Sequence, residues 1–266
     1  MGGYVDVSVP GYVKRLLAKL GHKPVTQPQY SPYTYQRQHA KPGSVQFDEQ
    51  PDQSPRLDKT QQRHIQTTVG SFLWYSRAVE NTTLPAVNEI ARQQSAPTET
   101  TAAEAQQLKD YINTYLSPYL RFYASDMILS IDSDVAYLVV PEEKYRIAGY
   151  FYLTNAVYSL HSGFPNAPVL VEYKVLRHVV SSAAESETAG VYHNAQVAIP
   201  IRTFLKELGH AQPPTAIKTD NSAAAGFVND NIQQRRSKSW DMRYHWLRDR
   251  VTQEQFRVYW EKGVDN

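Results

Sequence analysis

Three acidic residues in the C-terminal half of the chain stand where packing alone would not place a charge. Asp134 lies in the apolar, strand-like run Ile-Asp-Ser-Asp-Val-Ala-Tyr, and Asp is normally depleted inside strands. Glu187 falls on the apolar stripe of a predicted helix, where a carboxylate is costly unless a cation or a hydrogen-bond donor meets it. Asp220 ends a predicted strand. Three acids on adjacent core elements indicate a shared site.

Two of these acids have an acidic neighbour with the same chemistry. Strand alternation places Asp132 and Asp134 on one face, so two carboxylates share that face. Ser182 and Glu185 form a capping-box pattern, which gives Glu185 a local structural role that Glu187 lacks.

Asp220 follows the predicted strand Thr215–Thr219 and precedes a small-residue helix. One interpretation is an N-cap, because Asp and Asn satisfy free backbone N–H groups there. Asn221 or Ser222 could cap the helix equally well, which would leave Asp220 free to point out of the strand end. Ligand sites in open α/β sheets favour that carboxyl edge.

Carboxylates forced together repel one another unless a divalent ion neutralises them. Oxygen-only ligands select hard cations, so Mg²⁺ is the expected ion. A carboxylate site with two ions about 3.5–4 Å apart activates water and stabilises the leaving oxygen in phosphodiester cleavage. The chain has no cysteine, which excludes thiolate zinc sites, iron–sulfur clusters, disulfides and cysteine nucleophiles. No histidines show metal-ligand spacing.

A basic segment with an aromatic stripe precedes the last predicted strand. Trp240, Tyr244, Leu247 and Val251 recur at helical spacing, which predicts a core-facing stripe. Basic residues on the other faces could contact phosphates, although a solvated helix face explains the charge at least as well. The candidate phosphate contacts are Arg235, Arg236, Lys238 and Arg243.

The N-terminal part of the chain has to fold as helices joined by an irregular connector. The spacing predicts a helix from Tyr12 to Leu20, followed by an extended connector over 22–58 that holds six of the sixteen prolines. Residues 59–116 carry helical stripes, with a capping-box pattern at Thr101-Ala-Ala-Glu104 and a stop at Pro118.

Beyond Pro118 the pattern predicts a mixed α/β domain of five strands. The predicted strands are 119–138, 146–153, 169–180, 215–219 and 255–260. The predicted helices are 182–208, 222–228 and 237–250, with a kink or break at Pro200 and a cap at Gly209 in the first of them.

Charge and hydropathy limit the partners. Lys and Arg number 28 against 26 Asp and Glu, so any nucleic-acid-binding surface must be local. No run approaches the ~18 apolar residues of a membrane span, and the N-terminus lacks the apolar stretch of a signal peptide. The expectation is a soluble cytoplasmic protein with no membrane partner.

Five motifs in one order resemble the C-terminal part of the reverse transcriptase–ribonuclease H polyproteins of LTR retrotransposons, closest to the copia type. The motifs are Val69-Gly-Ser-Phe-Leu-Trp-Tyr-Ser-Arg-Ala, Ser133-Asp-Val-Ala-Tyr, Ser181-Ser-Ala-Ala-Glu-Ser-Glu, Thr219-Asp-Asn-Ser-Ala and Asp241-Met-Arg-Tyr-His-Trp-Leu-Arg. The resemblance implies an RNase H-like mixed five-stranded sheet with flanking helices over 119–266. It also implies a helical connection segment over 59–118, and a thumb-like helix with a Pro-rich connector over 1–58.

The resemblance further implies hydrolysis of the RNA strand of an RNA–DNA hybrid. It assigns Asp134, Glu187 and Asp220 as catalytic and metal-binding residues, with two Mg²⁺ ions or Mn²⁺ as the alternative. The order Asp, Glu, Asp differs from that of a retroviral-type integrase core, which runs Asp, Asp, Glu. Other parts of a retroelement polyprotein are the further expected partners. No Tyr-X-Asp-Asp motif is present, so we expect no DNA synthesis.

A departure from the family pattern at the C-terminus leaves alternatives open. The fourth acid of the family lies in an Asn-X-Ala-Asp segment after the last strand, whereas this chain stops at Asn266 with Asp265 out of register. The chain could therefore be a truncated, catalytically impaired fragment that serves only as a nucleic-acid-binding or structural module. A third hypothesis is an orphan protein in which the three acids only cap; carboxylates more than about 8 Å apart would support it.

Overall fold

The structure is a computed structural model that describes residues 3–23, 27–34, 52–140, 144–155, 166–176, 183–229 and 242–262. Contacts divide the chain into two compact units, residues 5–121 and residues 1–4 together with 122–266. The assignment of 1–58 as thumb-like and of 59–118 as a connection segment stays a prediction.

The unit of residues 5–121 is built from helices. They are α1 (Tyr12–Lys19), α2 (Lys59–Ala78), a short 3₁₀ helix (Asn81–Thr83), α3 (Leu84–Gln93) and α4 (Glu99–Thr114). Their apolar stripes form one core whose largest fully buried side chains include Phe72, Tyr75, Ile90, Leu108 and Ile112. Strands β1 (Tyr4–Val7) and β2 (Leu120–Tyr123) form a two-stranded sheet.

Side chains fix the starts of two of these helices. Asp58 caps α2 by accepting hydrogen bonds from two backbone N–H groups, and the Gln61 side chain completes the capping box. The predicted capping box at Thr101–Glu104 is wrong, because the N-cap of α4 is Thr98 and its reciprocal partner is Thr101. Thr98 has the extended backbone that an N-cap requires, whereas Thr101 is already helical and fully buried.

The second unit contains a five-stranded sheet with the order β5-β4-β3-β6-β7. The strands are β3 (Ile128–Val140), β4 (Lys144–Thr154), β5 (Pro168–Leu176), β6 (Thr215–Thr219) and β7 (Phe256–Trp260). β3 pairs antiparallel with β4 and parallel with β6, and β7 is parallel to β6. This mixed sheet confirms the predicted α/β class and is consistent with an RNase H-like fold.

The sequence predicts one long strand over 119–138, whereas the structure has two separate strands, β2 and β3. Met127, just before β3, has a φ of 60°, which an extended strand cannot contain. The chain therefore turns between the two strands, and only β3 enters the large sheet.

Helices α5 (Ala183–Glu207), α6 (Ser222–Val228) and α7 (Met242–Thr252) pack on the sheet. They share one core with strand residues, including Leu129, Ile131, Phe151, Ile217 and Val258. α5 continues through Pro200, so of the predicted kink or break the break is wrong, whereas the kink stays a prediction. Buried Ala198 and Arg202 hold the helix on both sides of the proline, and Gly209, with a φ of 90°, follows its end as predicted.

Within the described residues, no helix combines the length and the apolar character that crossing a bilayer requires.

Candidate metal centre

Strand pairing brings two of the predicted acids to the same place. The parallel register pairs Asp132 of β3 with Lys218 of β6. Asp134 follows Asp132 by two residues, and Asp220 follows Lys218 by two residues, just beyond the end of β6. Both acids are exposed, whereas the neighbours of Asp134 in the strand, Ser133 and Val135, are buried. The alternation of β3 therefore directs the Asp134 carboxylate away from the core.

In the turn after β6, the side chain of Asp220 does not cap the next helix. Asn221 is the N-cap of α6, because its side chain accepts a hydrogen bond from the backbone N–H of Ala224 at 3.0 Å. The main-chain oxygen of Asp220 accepts a hydrogen bond from the indole Nε1 of Trp260 at 2.9 Å. The N-cap interpretation of Asp220 is therefore wrong, and the alternative with Asn221 is confirmed.

Glu187 enters the site from the first turns of α5. Its side chain is only 6% exposed, as expected for its position on the buried stripe. The hydroxyl of Thr219 donates to Oε2 of Glu187 across 3.4 Å, so the strand residue next to Asp220 also orients this carboxyl. The same hydroxyl oxygen accepts the backbone N–H of Asn221 at 3.3 Å.

The three predicted acids meet. Carboxylate oxygens of Asp134, Glu187 and Asp220 all lie within 4.8 Å of one another. This spacing is far below the roughly 8 Å that would have favoured unrelated capping roles.

Burial and mutual repulsion both disfavour the charged form of the clustered acids. Burial, followed by the charges of Asp220 and Asp134, raises the pKa of Glu187 from 4.5 to about 8. Asp134 is exposed as a whole residue, but the protein atoms around its carboxyl group exclude part of the solvent, and this desolvation, followed by the charge of Asp220, raises the pKa of Asp134. Among the described residues, no cationic side chain forms an ion pair with any of the three acids. Within the part of the chain that the structure describes, no cationic side chain therefore balances the negative charge of the cluster.

Asp132, the other acid on this face of β3, is already neutralised. The Nζ of Lys218 lies 3.0 Å from its carboxylate, and the hydroxyl of Tyr152 donates to it at 3.5 Å. Lys218 also lies 3.8 Å from Glu261. The structure therefore separates the two strand acids: Asp132 belongs to an ion-paired group, and Asp134 belongs to the cluster.

The donor set fits a hard divalent cation. All three ligands are carboxylates, which are preferred by ions such as Mg²⁺ and Mn²⁺. Their oxygens are close enough to share one ion, and a bound cation would counteract the burial and the repulsion that together raise the pKa of Glu187. The acidic cluster can therefore bind a metal.

The predicted phosphate contacts fall in a different part of the chain. Arg235, Arg236 and Lys238 lie outside the described residues. Arg243 belongs to α7, but its side chain also lies outside the described part of the structure. The core-facing stripe predicted for this helix is confirmed at Tyr244 and Leu247, which are buried.

Sequence reasoning missed three residues that support the acids: Thr219, Lys218 and Asn194. Asn194 of α5 donates hydrogen bonds to Oγ of Ser133 and to the main-chain oxygen of Ala148, both at 2.9 Å. It thereby links α5 to the two strands beside Asp134. The available sequence signal was an Asn seven residues after Glu187, a spacing that places it on the same helix face.

No family model matches the chain. A stretch of 95 residues is 27% identical to the Retrovirus-related Pol polyprotein from transposon TNT 1-94 of Nicotiana tabacum. That stretch is 36% of this chain, and the match spans 7% of the polyprotein. The similarity supports a retroelement origin.

Proposed function

We propose that the chain is a retroelement-derived RNase H-type endonuclease that hydrolyses the RNA strand of RNA–DNA hybrids. The observation that carries this proposal is the meeting of Asp134, Glu187 and Asp220 within 4.8 Å on an RNase H-like sheet. The resemblance to the C-terminal part of copia-type polyproteins supplies the substrate class. Residues 1–118 would then correspond to the thumb-like and connection segments that precede an RNase H domain.

In this proposal, each acid has a distinct position toward two Mg²⁺ or Mn²⁺ ions. Glu187 holds its carboxyl group at the buried side of the cluster, where Thr219 orients it. Asp134 and Asp220 present theirs at the exposed side, where a phosphodiester can approach. When bound, the ions lower the pKa of a water molecule and stabilise the leaving oxygen. Carboxylates fixed by a strand, a helix and a capped turn need little rearrangement on binding.

Binding of the nucleic acid requires contacts beyond the acids. Arg235, Arg236, Lys238 and Arg243 are the proposed phosphate contacts, because guanidinium and ammonium groups pair with phosphate oxygens. Selectivity for a hybrid would come from contacts to 2′-hydroxyl groups on one strand and to the backbone geometry of the other.

The direct test is cleavage of a labelled RNA–DNA hybrid in Mg²⁺ by the full chain and two matched variants. Asp134→Asn removes a cluster carboxylate, whereas Asp132→Asn removes a charge two residues away that is ion-paired with Lys218. We expect Asp134→Asn to abolish cleavage and Asp132→Asn to retain it. RNA–RNA and DNA–DNA duplexes serve as substrate controls and should remain intact.

Failure of the unaltered chain to cleave the hybrid would refute the catalytic proposal, as would equal activity of Asp134→Asn. Retained binding of the hybrid without cleavage, measured by fluorescence anisotropy, would instead support the nucleic-acid-binding module.

A further inference from the structure

Helix α5 approaches strand β3 unusually closely at Gly190. A Cβ atom built on Gly190 would lie less than 3.0 Å from Cγ2 of Val135. Non-bonded carbon atoms pack best at about 3.5–4.0 Å, so any side chain at this position would force one of the two elements to move. The close approach therefore depends on the absence of a side chain at Gly190.

Val135 has little freedom to give way. Its β-branched side chain is stiff about χ1 and is only 5% exposed. It packs in a small buried cluster with Tyr145 and Ile147. Because the strand side of the contact is held by neighbours, the helix is the element that would shift.

This contact joins the two segments that carry Glu187 and Asp134. Gly190 follows Glu187 by three residues, so both lie on the same face of α5. Val135 directly follows Asp134 in β3. A displacement of α5 at Gly190 would therefore carry the Glu187 carboxyl away from that of Asp134.

One turn further along, a second contact holds the same helix against the sheet. Asn194 donates to Ser133 and to the main-chain oxygen of Ala148. Gly149 leaves the room that this side chain needs, since a Cβ built there would lie less than 3.0 Å from Oδ1 of Asn194. Helix and sheet are thus in close contact at two successive turns beyond Glu187.

We propose that Gly190 is a positioning residue for the metal centre: its contact with Val135 sets the separation between the Glu187 and Asp134 carboxylates. The expected effect on metal binding rests on the proposed function, whereas the expected effect on the carboxylate separation rests on the geometry of α5 and β3. A displacement of about 1 Å exceeds the roughly 0.5 Å tolerance of a preorganised site. Mg²⁺ is especially demanding, since it requires near-octahedral geometry.

The test compares Gly190→Ala with the double variant Gly190→Ala/Val135→Ala and with Val135→Ala alone. Gly70→Ala is the matched control, because Gly70 also lies within a helix but a Cβ there would meet nothing within 4 Å. Isothermal titration calorimetry measures the Kd for Mn²⁺, and metal-free crystal structures measure the separation of the two carboxylates.

We expect Gly190→Ala to widen the carboxylate separation by about 1 Å and to weaken Mn²⁺ binding roughly 10–100-fold. Adding Val135→Ala should restore both quantities, which a simple change in helix propensity would not do. Gly70→Ala should change neither. If Gly190→Ala alone fails to fold, recovery of the folded state in the double variant tests the same contact.

An unchanged carboxylate separation in Gly190→Ala, or no recovery on adding Val135→Ala, would overturn the inference. The same holds if the separation widens but the Mn²⁺ affinity does not change. Absence of Mn²⁺ binding by the unaltered chain would instead refute the proposed function, and the crystal structures would still decide whether Gly190 sets the separation.

Discussion

Replacing Glu187 with glutamine should make the metal-free protein more stable at neutral and alkaline pH. The reason is that a buried carboxyl next to two other acids must ionise there, whereas glutamine keeps the shape of the protonated acid without the charge. The same substitution should remove the stabilisation that the parent gains from Mg²⁺, because one of its ligands is lost. A buried carboxyl with no metal-binding role would show the first effect but not the second.

The magnitude follows from the pKa of Glu187, which is raised from 4.5 to about 8. Each pKa unit corresponds to about 1.4 kcal/mol, so full ionisation of Glu187 lowers the free energy of unfolding by roughly 5 kcal/mol. At pH 7, roughly 3 kcal/mol of this loss has already occurred. The sign is set by the folded state, which binds this proton more tightly than the unfolded chain does. The stability that the protonated Glu187 contributes is therefore fully present below about pH 4.5 and is lost as the pH rises to about 8.

Urea unfolding between about pH 4 and pH 9, with EDTA present, measures the effect as the difference in unfolding free energy between Glu187→Gln and the parent. The difference should be near zero at the acidic end and rise through neutral pH to a plateau. Glu185→Gln, on the same helix, is the charge-matched control and should lack this gain. A difference that does not change with pH, or a variant less stable than the parent at pH 8, would refute the reasoning.

Two further substitutions test the packing that supports the two units. Asp58→Ala removes the N-cap of α2 and should lower the unfolding free energy of the unit of residues 5–121 by about 1 kcal/mol, measured by urea unfolding. An unchanged urea midpoint would contradict the capping role. Asn194→Ala removes the donor to the buried hydroxyl of Ser133 and to the half-buried main-chain oxygen of Ala148. It should destabilise the sheet-containing unit by about 1–3 kcal/mol by the same measurement, whereas full stability would mean that this hydrogen-bonded link is dispensable.

Local patterns were enough to point to the acids, although the family resemblance was needed to choose Asp134 over Asp132. Asp134 stood out because a charge in the middle of an apolar strand needs an explanation, and the helical projection of α5 separated Glu187 from Glu185. The strands and helices around them follow periods of two and 3.6 residues, which depend only on neighbours in the chain. These features are properties of short segments, so the sequence alone reveals them.

Capping and turn geometry were less predictable, because several residues could satisfy the same backbone groups. Thr98 and Thr101 both precede suitable partners, and only the packing of α4 buries Thr101 and leaves Thr98 as the cap. The division of the predicted 119–138 strand depends on Met127, whose positive φ no propensity scale anticipates. Such choices are made by tertiary contacts rather than by the local sequence.

The partners of the acids could not be predicted, since they come from distant segments. Thr219 contacts Glu187 across 32 positions of sequence, and the Lys218 that neutralises Asp132 reaches it from a strand paired in parallel. Gly190 has no side chain that would mark it as functional in the sequence, and its role becomes visible only from its contact with Val135 in the folded chain. Long-range register is the information that the sequence pattern lacks.

The central claim is that Asp134, Glu187 and Asp220 form one divalent-cation site, and anomalous scattering from crystals grown with Mn²⁺ tests it most directly. We predict a peak whose ion contacts carboxylate oxygens of all three residues, and the loss of that peak in Asp134→Asn crystals. A well-ordered structure with the three carboxylates in place but no manganese among them, at millimolar Mn²⁺, would contradict the account.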